Sequence, residues 1–308
     1  MNAPAPTGAL RGIWPALLTP LTAQRAIDHA CFGRHAAQLI ATGCGGVTPF
    51  GTTGEGPSFS VDERRAAVEA LVAGGVPAAR ILVSTSCAAL PDTLALTRHA
   101  LALGAHGCLM LPPFFLKGVP DEGIVDAYRW VIDGAADARL RLYLYHIPQV
   151  SGVGLSHGVI ETLKRLYPQT IVGIKDSAGD RAHSLALADA FMPELAVYVG
   201  HEPDLPALAR RGSPGAVSGL ANFMPRVVNR LVAQPDQPRT AADLARVEQL
   251  LARLGGYALV PALKAIMAIT SGDPAWLNVR PPLVALTPAQ QSALERELSD
   301  LRLDPRAD

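Results

Sequence analysis

Three places in the chain carry residue types that could act together on a carbonyl compound. Lys175 sits in Thr170-Ile171-Val172-Gly173-Ile174-Lys175-Asp176-Ser177, a β-branched run expected to be buried on both faces. Desolvation there disfavours an ammonium and favours a neutral amine, the form that attacks a carbonyl to give a Schiff base. The alternative is a lysine that ends its strand and pairs with Asp176 or another carboxylate. Tyr145, in Leu142-Tyr143-Leu144-Tyr145-His146-Ile147-Pro148, has a phenol able to shuttle protons; the plainer reading is a core aromatic with a satisfied hydroxyl. His146 is a second proton-transfer candidate, but strand alternation directs it to the face opposite Tyr145. The loop Gly51-Thr52-Thr53-Gly54-Glu55-Gly56 offers backbone N–H groups and two hydroxyls suited to a small carboxylate or phosphate. The same residues also serve as an ordinary turn before a capped helix.

Lysine is scarce: of 27 basic residues only Lys117, Lys164, Lys175 and Lys264 are lysines. A guanidinium that is always charged cannot form a Schiff base, so these four positions are the ones to question. Lys164 and Lys117 read as helix-surface and loop residues. Lys264 lies in an apolar helix, where it could pair with a carboxylate.

For the three groups to meet, one end of one sheet must carry them. Short apolar runs at 13–18, 45–50, 80–84, 107–111, 140–146, 171–175, 196–200 and 216–218 alternate with segments of helical period, the pattern of βαβ units in a parallel sheet. Ser60-Val61-Asp62-Glu63 is a capping box, and Asp92, Asp121 and Ser156 can open other helices. Eight such cycles fit a (β/α)8 TIM barrel, and no G-x-G-x-x-G follows the first run to support a doubly wound dinucleotide fold. The barrel is assigned to residues 1–235 and a C-terminal helical extension to 236–308, with helices at 240–254, 257–271 and 287–301. In a barrel, catalytic groups stand at the C-terminal ends of strands. The glycine-rich loop follows the second predicted strand, Tyr145 ends the fifth, and Lys175 ends the sixth.

Composition excludes several alternatives. The 308 residues carry 27 basic and 27 acidic side chains and no net charge, so nothing marks a nucleic-acid or anionic membrane surface. The most apolar stretch, 101–116, is broken by Gly104, His106, Gly107, Pro112 and Pro113, short of a membrane span. Cys31, Cys44, Cys87 and Cys108 form no C-x-x-C pair and read as buried free thiols, with no metal cage. Residues 1–8 lack a basic and then apolar leader, which places the protein in the cytosol.

Gly51-Thr52-Thr53-Gly54-Glu55, Tyr145-His146-Ile147-Pro148 and Gly173-Ile174-Lys175-Asp176-Ser177 together closely resemble the dihydrodipicolinate synthase and N-acetylneuraminate lyase family of pyruvate-dependent class I aldolases. The resemblance runs over almost the whole chain, through Gly200, Gly215-Ala216-Val217-Ser218 and Pro261-Ala262-Leu263-Lys264. It implies that Lys175 forms the Schiff base, that Tyr145 moves protons, and that Thr52 and Thr53 hold the pyruvyl carboxylate, Thr53 also bonding the Tyr145 phenol. Gly200, Val217 and Glu202 become substrate-binding candidates. The resemblance further implies no cofactor and a homo-oligomer, tetramer or dimer.

Departures from the family pattern narrow the substrate. The arginine that synthases place five residues after the tyrosine is Val150 here, and the tyrosine that reaches in from a neighbouring subunit falls at Phe115. The Asp-Glu pair of sialic acid lyases becomes His201-Glu202. The expectation is a class I lyase joining pyruvate to an aldehyde or cleaving the product, with a 2-keto-3-deoxy sugar acid as one candidate substrate. A sugar-acid dehydratase of the same family, the dipicolinate-forming synthase, and a keto-acid-binding silent paralogue are the alternatives.

Overall fold

A computed structural model describes residues 9–301; the leader reading of residues 1–8, and the outer ends of both predicted units, lie outside them. Seven parallel strands form one sheet: β1 (Gly12–Pro15), β2 (Leu82–Ser84), β3 (Gly107–Met110), β4 (Leu142–His146), β5 (Ile171–Asp176), β6 (Ala196–Val199) and β7 (Gly215–Ser218). Their order is β1-β7-β6-β5-β4-β3-β2, so the sheet curls round with β1 and β2 at its two ends.

Residues 45–50, predicted as the second strand, fill the gap between those ends without forming a full strand. Thr48 bridges Ala16 and Val47 bridges Ile81, both in parallel sense. Thr48 N–H donates to Pro15 O and Leu17 N–H to Thr48 O, while on the other side Val47 N–H donates to Arg80 O and Leu82 N–H to Val47 O. The ladder stops because Pro49 has no N–H to donate and because the Gly45-Gly46 backbone is packed against the Trp14 indole. The chain therefore completes a (β/α)8 barrel with one position held by bridges, and the strands predicted fifth and sixth are β4 and β5.

Strand alternation sorts the side chains. Trp14, Leu82, Leu109, Tyr143, Tyr145, Val172, Tyr198 and Val217 form an inner cluster, while Leu142, Leu144, Ile171 and Ile174 belong to the larger cluster packed against the helices. Tyr145 pairs in register with Lys175, and Lys175 with Tyr198.

The helices start largely where their capping residues predict. Helix Val61–Ala73 opens on the Ser60/Glu63 capping box, and helix His157–Leu166 on Ser156. Asp92 and Asp121 are not N-caps: they sit in the first turns of helices whose caps are Ala89 and Pro120, where a carboxylate still favours the helix dipole. After the barrel come helices Pro238–Leu254, Leu259–Ser271 and Pro288–Asp300. The second reaches back to the glycine-rich loop through Lys264, which is fully buried and paired with Glu55. Burial holds the Lys264 ammonium below its ordinary pKa, and the Glu55 carboxylate acts against that shift. Cys31, Cys44 and Cys108 are buried and Cys87 half-buried, all as free thiols; burial pushes Cys108 up to about 12 and Cys44 to about 11. No single helix among the described residues is long and apolar enough to cross a membrane.

Candidate active site

Lys175 and Tyr145 leave adjacent strands toward the same side. Lys175 Nζ donates to the Tyr145 phenol at 3.2 Å and stands 4.3 Å from the centre of its ring. Both side chains are buried, 5% and 3% exposed. The alternative partner, Asp176, turns to the outer face. Its carboxylate accepts from Ala178 N–H at 2.9 Å and from Ser184 Oγ at 2.7 Å, and it pairs with His183 Nδ1 at 2.9 Å. The amine is thus left facing a phenol.

The phenol's second partner is Thr52, whose Oγ1 lies 3.2 Å from it. This corrects the expectation that Thr53 would make the contact. Phe50 and Glu55 both adopt left-handed backbone conformations, with φ of 62° and 57°, and between them the turn is closed by Gly56 N–H to Gly51 O and Glu55 N–H to Thr52 O. Gly54 and Gly56 are required, since a Cβ on either would strike the Leu17 or Phe50 backbone. The N–H groups of Thr52 and Thr53 donate to no acceptor among the described residues, which leaves two loop donors open to a carboxylate.

Gly200 lies against Lys175: a Cβ there would collide with Ser177 Oγ and stand 3.0 Å from Lys175 Cε. Val217 joins Tyr145 in the inner cluster. Glu202 is only 4% exposed and accepts from Ser218 Oγ at 2.7 Å and Leu220 N–H at 3.2 Å. It fastens the segment after β7 and does not line the cavity described next. His201 pairs with Asp204 at 2.9 Å, and that carboxylate holds its pKa above the ordinary histidine value.

A cavity of about 460 Å³ opens beside Tyr145 and Thr52. Its walls include Leu111, Phe114, Val150, Val260, Pro282 and Leu283. Phe115, expected at the position of the family's tyrosine, is 77% exposed, and Phe114 takes the place on the wall. Lys117 ties the rim together by donating to the carbonyls of Phe114 and Ser151.

Sequence reasoning missed a cluster on the outer face. His146 lies opposite Tyr145, as alternation predicts, and its ring stacks on His183 at 4.6 Å. With Asp176 the two histidines could present three ligand atoms within 4.8 Å of one another. The cluster is satisfied from within, because Leu155 N–H donates to His146 Nδ1 at 3.0 Å and Asp176 holds His183 and Ser184. Burial, with His183 acting in the same sense and Asp176 against it, keeps the His146 pKa below its ordinary value. The signal was available: β4 and β5 pair His146 with Asp176 in register.

Comparison with known proteins supports the fold and identifies the family. A DapA-like lyase of Chloroflexus aurantiacus is 35% identical over 286 residues, covering 92% of this chain and 94% of the relative. The crystal structure of dihydrodipicolinate synthase from Agrobacterium tumefaciens superposes with a TM-score of 0.88 at 32% identity, covering 94% of this chain and 99% of that one. The YagE protein of E. coli K12, solved in complex with pyruvate, superposes with a TM-score of 0.86 at 25% identity, over 95% and 99% of the two chains. The model of the dihydrodipicolinate synthetase family matches residues 9–301, and this chain belongs to that family.

Proposed function

We propose that this protein is a Schiff-base-forming class I lyase that joins pyruvate, or another 2-oxo acid, to an aldehyde and reverses the reaction. The observation that carries the reading is the chain of contacts from Lys175 Nζ through the Tyr145 phenol to Thr52 Oγ1, each link 3.2 Å. The Lys175 amine attacks the keto carbon; the carbonyl oxygen leaves as water after taking protons through Tyr145, and an iminium remains. That iminium withdraws electrons from the neighbouring methyl, which loses a proton to become a nucleophilic enamine. The open N–H groups of Thr52 and Thr53 hold the carboxylate while this occurs, and Gly200 and Val217 shape the space around the adduct.

Borohydride reduction with pyruvate, followed by peptide mass spectrometry, is expected to find the reduced adduct on Lys175. Its absence there, or full activity in Lys175→Ala, sinks the mechanism. The dipicolinate-forming alternative fits less well, since Val150 cannot supply the paired donors a second carboxylate needs. A tetramer or dimer belongs to the same reading, supported by the exposed apolar side chains of Phe115, Leu116 and Val284; a monomer in light scattering at micromolar concentration counts against it. A cytosolic location belongs to the same reading.

A further inference from the structure

The second substrate must occupy the cavity that Tyr145 and Thr52 border, and the chemistry of its walls selects among aldehydes. Leu111, Phe114, Val150, Val260, Pro282 and Leu283 surround it. The polar groups on its lining are largely committed to the protein itself. Ser86 Oγ accepts from Leu111 N–H at 2.8 Å, and Ser151 Oγ is shared by Ile147 O at 3.0 Å and Val153 O at 2.7 Å. Glu55 is paired with Lys264, and the rim ammonium of Lys117 is spent on the Phe114 and Ser151 carbonyls. Two buried polar atoms of the lining are left without a hydrogen bond, Ser84 Oγ beside the Gly51-Thr52 turn and the Glu55 carboxylate oxygen turned away from Lys264, and the half-buried Ser58 hydroxyl stands on the same lining.

From the apolar side chains that make up most of this wall we infer that the acceptor is an apolar, aryl or alkyl aldehyde, recognised chiefly by its hydrocarbon body. The inference rests on the Schiff-base reading above and deepens it. A polyol chain would bring several hydroxyls, each needing a partner on desolvation, whereas Leu111, Phe114, Val150, Val260, Pro282 and Leu283 offer it none. A second carboxylate would need a cation or paired donors, and neither is free on the wall. An aryl or alkyl group loses nothing on leaving water and gains with each carbon buried. The enamine carbon of the Lys175 adduct bonds to the aldehyde carbon, and the aldehyde oxygen takes a proton by way of Tyr145. Water then cleaves the iminium, so that pyruvate and the aldehyde become one 4-hydroxy-2-oxo acid and the amine is regenerated.

The test gives the intact enzyme pyruvate with benzaldehyde, hexanal, D-glyceraldehyde or aspartate semialdehyde, and compares kcat/KM by product mass spectrometry. Borohydride trapping of pyruvate on Lys175 is measured in parallel without any aldehyde. Trapping together with at least about a 10-fold preference for benzaldehyde or hexanal over both polar aldehydes is the expected result, given a tenfold per 1.4 kcal/mol and roughly 0.8 kcal/mol per buried methylene. Leu283→Gln is expected to lower kcat/KM for benzaldehyde severalfold more than for glyceraldehyde. Trapping with equal or better use of a polar aldehyde overturns the acceptor inference and leaves the Schiff base standing. Failure to trap overturns the Schiff base, and the acceptor inference falls with it.

Discussion

Gly200→Ala tests whether the place of the Lys175 amine is set by its neighbours. The added Cβ would stand 3.0 Å from Lys175 Cε, where ordinary contact begins at about 3.4 Å, so Cε must retreat by about 0.4 Å. It would also collide with Ser177 Oγ, which has to rotate away. The amine donates to Tyr145 at 3.2 Å, a length with little slack, and displacing Cε moves Nζ off the line to the phenol. A misplacement of about 1 Å in a reacting group costs on the order of 100-fold. Scaling to the smaller shift gives a loss of about 5- to 50-fold in kcat/KM, or about 1–2.3 kcal/mol. Single-turnover borohydride trapping of pyruvate reads the step directly, with circular dichroism confirming the fold. The double variant Gly200→Ala/Ser177→Ala removes the hydroxyl collision but keeps the contact with Cε, so only part of the loss should return. If Gly200→Ala traps pyruvate at the unaltered rate, the amine is not held where the structure puts it and the reasoning fails.

Three further perturbations probe the surroundings. Thr52→Val removes the phenol's second partner and should lower kcat by about 10- to 100-fold, whereas Thr53→Val should act mainly on the KM for pyruvate; steady-state kinetics showing the reverse would restore Thr53 as the relay. Lys264→Met strands the buried Glu55 and should destabilise by about 3–5 kcal/mol, while Lys264→Met with Glu55→Gln should recover more than half of that; additive losses in urea unfolding would mean the pair is not coupled. His35 is buried with its Nε2 3.0 Å from Asn222 Oδ1, and burial lowers its pKa from 6.5 to about 4. Between those values the unfolded chain binds a proton that the folded chain does not, so stability should fall as pH drops from 6.5 toward 4 and be insensitive to this group above that range. The loss is about 2 kcal/mol at pH 5 and about 3 kcal/mol in full; His35→Gln should flatten that part of the profile, and an unchanged slope would show that His35 does not titrate this way.

Much of the candidate site was legible because strand periodicity is strict. Once 140–146 and 171–175 were read as neighbouring strands, a repeat of two put Tyr145 inward and His146 outward, and the register of β4 with β5 brings Tyr145 to Lys175. The glycine-rich loop obeys no such repeat. Its letters mark a tight turn, but which threonine meets the phenol depends on a backbone path that passes through positive φ at Phe50 and Glu55, non-glycine residues whose types do not announce it. The bridge-only segment at 45–50 was misread for a related reason: its composition is that of a strand, and only the packing of Gly45 and Gly46 on Trp14 and the missing donor of Pro49 shorten its ladder.

The departures from the family pattern carry the least ambiguous physical message. Sequence alone could state what Val150, Phe115 and His201-Glu202 lack: an arginine, a phenol and an acid. A missing donor, though, is compatible with an idle site as much as with a new substrate. What separates the two is whether the vacated positions still build a surface. Phe114 and Val150 line one cavity with Leu111 on the barrel side and Val260, Pro282 and Leu283 from the C-terminal segment. Lys117, bonded to the Phe114 and Ser151 carbonyls, fixes two stretches of that rim to each other. Six apolar side chains drawn from the barrel and from the C-terminal segment therefore make one continuous wall beside Lys175, Tyr145 and Thr52, which is the mark of a built surface.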